Sequence, residues 1–273
     1  MSNFTLINQG TLRQGLVKGI ECNGWTITSK RAPICNSAEM ESIQKNFGIP
    51  PPEMVFGNNH VTIKHGETEF TWGAYDALKL VDTSSTSSEK IKVAYSEEWT
   101  KKSAANHTDI KDVIKPYDWT YSTPYKGTLI SSLDNRSFEK ADTPVDFQRL
   151  MKPDPILFYD ENILYEDELA DNGTAMLSIR LRVMPTCFLI LQRFFMRVDD
   201  VLFRINDTRV YHEFGSKYLV REYTSKEDHY NNIRRKLPIG NMDISLLNDP
   251  NWVSRMLPDE PAVFSRESLM VDH

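Results

Sequence analysis

Leu177-Ser-Ile-Arg-Leu-Arg-Val183 decides the fold, because Leu177, Ile179, Leu181 and Val183 alternate with Ser178, Arg180 and Arg182. A period of two sends the apolar side chains to one face of a strand and the polar ones to the other, so one face packs and the other stays wet. Upstream, Ile156 to Tyr165 reads as a strand and Asp171-Asn172-Gly173 as the turn that joins it to this one. Downstream, the apolar run Phe188 to Val198 fits a buried helix or a strand by periodicity alone. Its Phe and Val content, and Asp199-Asp200 leading into Val201 to Ile205, favour the strand. Arg209 to Glu213 and Tyr218 to Thr224 continue the series. Consecutive strands joined by short turns pair antiparallel.

The N-terminal half mixes elements. Trp25 to Thr28 is β-prone, and Asn36-Ser-Ala-Glu39 has the spacing of a capping box ahead of a helix whose Met40, Ile43 and Phe47 share a face. Gly48 and Pro50 to Pro52 stop that helix. His60 to His65 and Glu67 to Trp72 flank Gly66 as a hairpin, and Ala74 to Val81 reads as a short helix. Asp82 to Ser88 is a polar surface loop, Ile91 to Tyr95 a strand, and Lys101 to Asp109 and Ser131 to Asp142 further loops. Thr143-Pro144 is read as the start of a helix over Val145 to Met151, and Asp249-Pro250 as the start of one carrying Trp252, Val253 and Met256. The fold class expected is α+β: two packed antiparallel β-sheets with short peripheral helices in a single domain. Residues 1–20 are expected to be poorly ordered, 21–225 to form the domain, and 226–273 to form a helical tail.

Composition narrows the function. Of 273 residues 40% are hydrophobic and 26% charged, which supports a sizeable core. A formal net charge of -6 repels a phosphate backbone, so nucleic acid is not the expected partner. No stretch reaches the ~20 apolar residues a membrane helix requires, and Met1 to Gly10 lacks a secretion signal. Cys22, Cys35 and Cys187 form no C-x-x-C pair and are odd in number, which fits a reducing compartment. Cytoplasm and nucleus are the expected locations, and the sequons at Asn3, Asn106, Asn135, Asn172 and Asn206 then have no role.

Catalytic signals are sparse. His212-Glu213 with Asp207 could supply imidazole and carboxylates to a hydrolase, but no second histidine follows at zinc-protease spacing. Glu166, Asp167, Glu168 and Asp171 could hold a cation or lie solvated beside a turn, and their spacing is not that of a calcium loop. Cys187, at the start of an apolar strand, reads as a buried inert thiol. No cofactor motif is present, and no cofactor or metal is expected. Tyr117, Trp119, Tyr121 and Tyr125, with Lys115 and Lys126, form either a peptide-binding surface or a piece of ordinary core.

Lys115-Pro-Tyr-Asp-Trp-Thr-Tyr121 followed by Tyr125-Lys-Gly-Thr128 resembles the signature of the TIPRL (Tip-forty-one-like) family. Pro52-Glu-Met54 with Phe56-Gly57, Asp76-Ala-Leu78, Glu166-Asp-Glu-Leu169, Arg182-Val-Met184, Arg193-Phe-Phe195, Asn206-Asp-Thr-Arg209 and Arg221-Glu222 are similar and in family order, so the likeness runs from about Trp25 to Thr224. The turn Leu169-Ala-Asp-Asn-Gly173 is closer to fungal members than to animal ones. The resemblance implies a non-catalytic monomer that binds catalytic subunits of type 2A-like phosphatases in TOR and nutrient signalling. In fungi it implies a second partner, the alpha-four-class phosphatase-binding protein. It also implies a cleft for the extended C-terminal tail of the phosphatase, at positions matching Asp76, Val145, Ile205, Asp207, Arg209 and Tyr223. Within it Arg209 is the candidate cation for a terminal carboxylate, with Asp207 orienting it. Trp119 and Phe194 are expected to be structural. Serine-rich Thr83 to Ser88 is a candidate phosphorylation segment that would tune binding.

Overall fold

The computed structural model describes residues 4–83, 117–131, 136–238 and 243–271. In chain order its strands are β1 (Phe4–Gln9), β2 (Leu16–Cys22), β3 (Trp25–Arg31), β4 (Met54–Val55), β5 (His60–His65), β6 (Thr68–Gly73), β7 (Thr128–Ser131), β8 (Glu139–Lys140), β9 (Phe158–Asp167), β10 (Gly173–Val183), β11 (Cys187–Val198), β12 (Leu202–Glu213), β13 (Tyr218–His229) and β14 (Val263–Met270). Short helices join them: α1 (Ser37–Phe47), α2 (Ala74–Leu78), α3 (Phe147–Leu150), α4 (Tyr230–Arg234) and α5 (Pro250–Met256).

The strands form two antiparallel sheets, as expected of this α+β class. One has six strands in the order β1-β2-β3-β5-β6-β7 and the other eight, β4-β9-β10-β11-β12-β13-β14-β8. Tight turns set the register: between β10 and β11 the Met184 amide donates to the Cys187 carbonyl at 2.9 Å. Leu177, Ile179, Leu181 and Val183 face the six-stranded sheet, as their alternation requires, and are all buried. Trp25 of β3 reaches across to Phe188 at 5.0 Å and to His212 at 4.7 Å between ring centroids. α1 carries the capping box read from sequence, with Asn36 and Glu39 exchanging hydrogen bonds and Gly48 ending the helix at φ 71°.

Residues 117–127 run as a strap into the core. Tyr117, Trp119, Tyr121 and Tyr125 are buried there, so the structure selects the core reading of this aromatic cluster over a binding surface. The Tyr165 hydroxyl donates to the Tyr121 carbonyl at 2.8 Å, and the Gln192 amide donates to the Tyr125 carbonyl. Gly127 lets the strap turn into β7. At φ +93° it sits where a Cβ would lie 2.4 Å from Phe70 Cζ and 2.8 Å from Trp72 Nε1. Gly127→Ala is therefore expected to cost about 2–3 kcal/mol, as left-handed strain and overpacking add. A denaturation midpoint unchanged by this substitution would contradict the tight approach.

Three expectations are corrected. Residues 4–20 are ordered: β1 and β2 pair over Phe4↔Cys22 to Gln9↔Val17, and Ile20 is fully buried. Their signal was weak because β1 is an edge strand whose side chains are mostly exposed. Residues beyond 225 are not only helical, since β13 runs to His229 and β14 returns to pair with it from Tyr218↔Met270 to Ser225↔Val263. The cap of α3 is Asp146, whose side chain accepts from the Arg149 amide, and not Thr143. The strand expected over Ile91 to Tyr95, the loop Lys101 to Asp109 and all of Thr83 to Ser88 except Thr83 lie outside the described residues. Among the described residues no helix is long and apolar enough to cross a membrane.

Candidate functional site

On β12 side chains alternate between the two faces of the eight-stranded sheet. Leu202 and Val210 pack inward, while Phe203, Ile205 and Tyr211 belong to clusters on the outer face. Asp207 and Arg209 therefore point outward. Two covers occupy this face. At one end α4 and α5 lay Ile233, Trp252 and Val253 over Phe195, Phe203 and Ile205. At the other, Val145 packs on Met184, Cys187, Tyr211 and Val220, with Leu150 beside it. Between the covers a single cross-strand row remains: Glu161, Arg180, Leu191, Arg209, Glu222 and Arg266. Arg180, Leu191, Arg209 and Arg266 of this row are partly exposed and Glu222 is buried, so among the described residues the row forms a shallow charged trough across the strands.

The charge chemistry centres on Asp207. Its carboxylate, 2% exposed as a residue, receives Arg193 in a two-pronged contact, Nε to Oδ1 at 2.7 Å and Nη2 to Oδ2 at 2.8 Å. Arg209 adds a third bond, Nη2 to Oδ2 at 2.8 Å, and its Nη1 donates to Thr224 Oγ1 at 3.4 Å. Two guanidiniums thus share one carboxylate. Arg193 is consumed by α5, donating to the Pro250 carbonyl, Asn251 Oδ1 and Ser254 Oγ. The Arg209 side chain is 23% exposed and faces the trough. Such a planar, oriented guanidinium is suited to a carboxylate or phosphate.

The remaining candidate residues divide. Val145 donates its amide to Glu222 Oε1 at 3.1 Å, so it flanks Arg209, but it and Ile205 are 2% exposed and serve as supports rather than as an open apolar wall. Tyr223 pairs with Thr208 and points to the opposite face, where Lys126 lies 5.0 Å from its ring centroid. There it lines, with Arg204, Asn206, Ser122 and Thr123, a cavity of about 680 Å³. Asp76 accepts from Thr128 Oγ1 at 2.9 Å and Lys79 Nζ at 3.0 Å. Burial acts to raise its pKa, yet these hydrogen bonds outweigh it and hold the carboxyl below its usual value. Thr128 also meets the Tyr125 hydroxyl at 3.0 Å, which ties Asp76 to the strap beside Lys126 and Tyr223. The six positions do not line one open cleft. Adjacent residues of a strand point to opposite faces, and that divides Tyr223 from Arg209.

The hydrolase alternative fails on the same ground. His212 is 2% exposed on the inner face against Trp25 and Phe188, while Glu213 shares the outer face with Asp207 but lies at the far end of β12, roughly 20 Å along the strand at about 3.3 Å per residue, so the three do not converge. In the acidic cluster, Asp167 is a turn-forming residue that accepts from the amides of Glu53 and Leu169, and Leu169, Ala170 and Asp171 all have positive φ. Among the described residues no three metal-ligating side chains come together. Cys187 is 1% exposed, and burial pushes its thiol pKa up, as an inert core cysteine requires. What sequence reading missed is Arg193, Glu222 and Thr224 as the surroundings of Arg209. Only the pairing Arg193↔Asp207 and Arg209↔Glu222 brings them there.

Comparison with known proteins gives a consistent picture. The family model described as the TIP41-like family matches residues 54–234. The chain is 40% identical over 241 residues to a human protein named TIP41-like protein, covering 88% of this chain and 85% of that one. It is 40% identical over 258 residues to the type 2A phosphatase activator TIP41 of Saccharomyces cerevisiae, covering 88% and 71%. To the type 2A phosphatase activator tip41 of Schizosaccharomyces pombe it is 36% identical over 234 residues, covering 85% and 91%. Identity to the human and budding-yeast relatives is equal, so it does not separate a fungal from an animal character.

Proposed function

The chain belongs to the TIP41-like family, and from that premise we propose that it regulates type 2A phosphatases by binding their catalytic subunits, without catalysis of its own. The observation that carries the binding mode is the partly exposed Arg209, held by Asp207 and Thr224 on the outer face of β12. An extended C-terminal tail laid across the strands would set its terminal carboxylate on this guanidinium. Asp76 and Tyr223, on the other face, fall to a second contact with the same subunit. The setting we propose is TOR and nutrient signalling in cytoplasm and nucleus, with an alpha-four-class phosphatase-binding protein as a second partner.

Arg209→Ala is expected to weaken binding of the phosphatase tail at least tenfold, about 1.4 kcal/mol, with little change in melting. The fold is spared because Asp207 keeps both bonds from Arg193. Calorimetry with the catalytic subunit and with the same subunit lacking its last few residues tests the reading. Equal affinity of wild type for both would remove the tail from the account, and no binding to either would remove the phosphatase.

A further inference from the structure

The trough carries more positive charge than its own carboxylates neutralise. On the strands themselves, the row of Arg209 and the rows on either side carry Arg180, Arg182, Arg193, Arg209 and Arg266 against Glu161, Asp207 and Glu222, in a chain whose formal net charge is -6. Four of the arginines are accounted for. Arg180 donates to Glu161 at 2.7 Å, Arg266 to Glu222 at 2.7 Å, and Arg193 and Arg209 share Asp207. Arg182 is different: partly buried on the outer face of β10, it has neither a hydrogen-bond nor an ion-pair partner among the described residues. Its row neighbours are Tyr159 and Leu189, which offer a guanidinium no countercharge along the row.

Resting on the tail-binding reading above, we infer that Arg182 is a second anion contact, so that the trough selects a tail bearing an anionic side chain upstream of its terminal carboxylate. The spacing sets the distance along the peptide. Arg182 and Arg209 are two strands and one two-residue step apart, roughly 12 Å from strand spacing of about 4.8 Å and rise of about 3.3 Å per residue. An extended peptide covers that in roughly three or four residues. Between them Leu191 is partly exposed and gives the peptide an apolar contact, while Leu189 packs against the Val145 cluster at the edge of the row. A cluster of charges of one sign raises the local concentration of an anionic ligand. Either a carboxylate or a phosphoryl side chain supplies the required chemistry.

The test uses the full chain and fluorescein-labelled synthetic peptides with a free C-terminal carboxylate and glutamate, phosphoserine or alanine four residues upstream, read by anisotropy. Wild type is expected to bind the glutamate or the phosphoserine peptide about tenfold more tightly than the alanine peptide, and the tighter of the two identifies the natural anion. Arg182→Gln is expected to erase that preference while leaving alanine-peptide affinity and melting unchanged, and Arg182→Lys to retain part of it. Arg209→Gln should weaken all three peptides alike. Peptides that bind wild type without preference, or an Arg182→Gln protein that keeps it, would overturn the inference and leave the tail reading standing. If wild type binds none of the peptides, the tail reading falls and takes the inference with it.

Discussion

Asp207→Ala is expected to lower unfolding free energy by about 3–5 kcal/mol, because it leaves a buried cation without its countercharge. The Arg193 side chain is 8% exposed, and both prongs of its guanidinium end on Asp207. Removing the carboxylate strands that charge beneath α5, and the Arg193 contacts to Pro250, Asn251 and Ser254 lose their orienting partner. Amide exchange in α5 should accelerate more than exchange in β10, while chemical denaturation gives the global loss. The double replacement Arg193→Met with Asp207→Leu should recover much of the stability, since removing both ends of a buried pair avoids the unpaired charge. A single mutant as stable as wild type would show that the pair contributes nothing and that Arg209 is positioned by other means.

The second large effect is expected at Trp119. It is 6% exposed in the strap and belongs with Tyr117 and Tyr121 to the cluster between the sheets. Truncating a buried tryptophan to alanine removes transfer energy and leaves a cavity, together about 3–5 kcal/mol. The strap also bonds to the framework through Tyr165 to Tyr121, Thr123 to Ala77 and Gln192 to Tyr125, which limits its collapse into the vacated space. Calorimetric melting measures the loss. A melting temperature within experimental error of wild type would mean that the indole does not pack as the structure has it.

The two predictions differ in what sequence could tell. Trp119 was readable as structural, because an aromatic run between polar loops in a chain of ordinary composition has a core to enter. Its alternative role, a recognition surface, was equally compatible with composition and was settled by burial. Asp207 and Arg209 could be placed on one face from the period of two alone, and their direct bond at 2.8 Å agrees. That Arg193 holds the same carboxylate needed the β11 to β12 register, which joins residues fourteen apart. Tyr223 was grouped with Arg209 by resemblance, yet its odd offset from Glu222 sends it to the other face. β1 escaped notice because an edge strand lacks the alternation that reveals a half-buried one.

By itself the sequence determined the antiparallel strand series from β9 to β13, the capped helix α1 and the likeness to the family, because strand period, capping chemistry and motif order are properties of neighbouring residues. Only the tertiary structure decided that β14 closes onto β13, that Arg193, Asp207 and Arg209 meet on the outer face of the eight-stranded sheet, and that Arg182, one row away from Arg209, has no partner among the described residues. Those features depend on which distant strands pair and in what register. Pairing energy is collected across the whole sheet, so no local stretch of sequence records it.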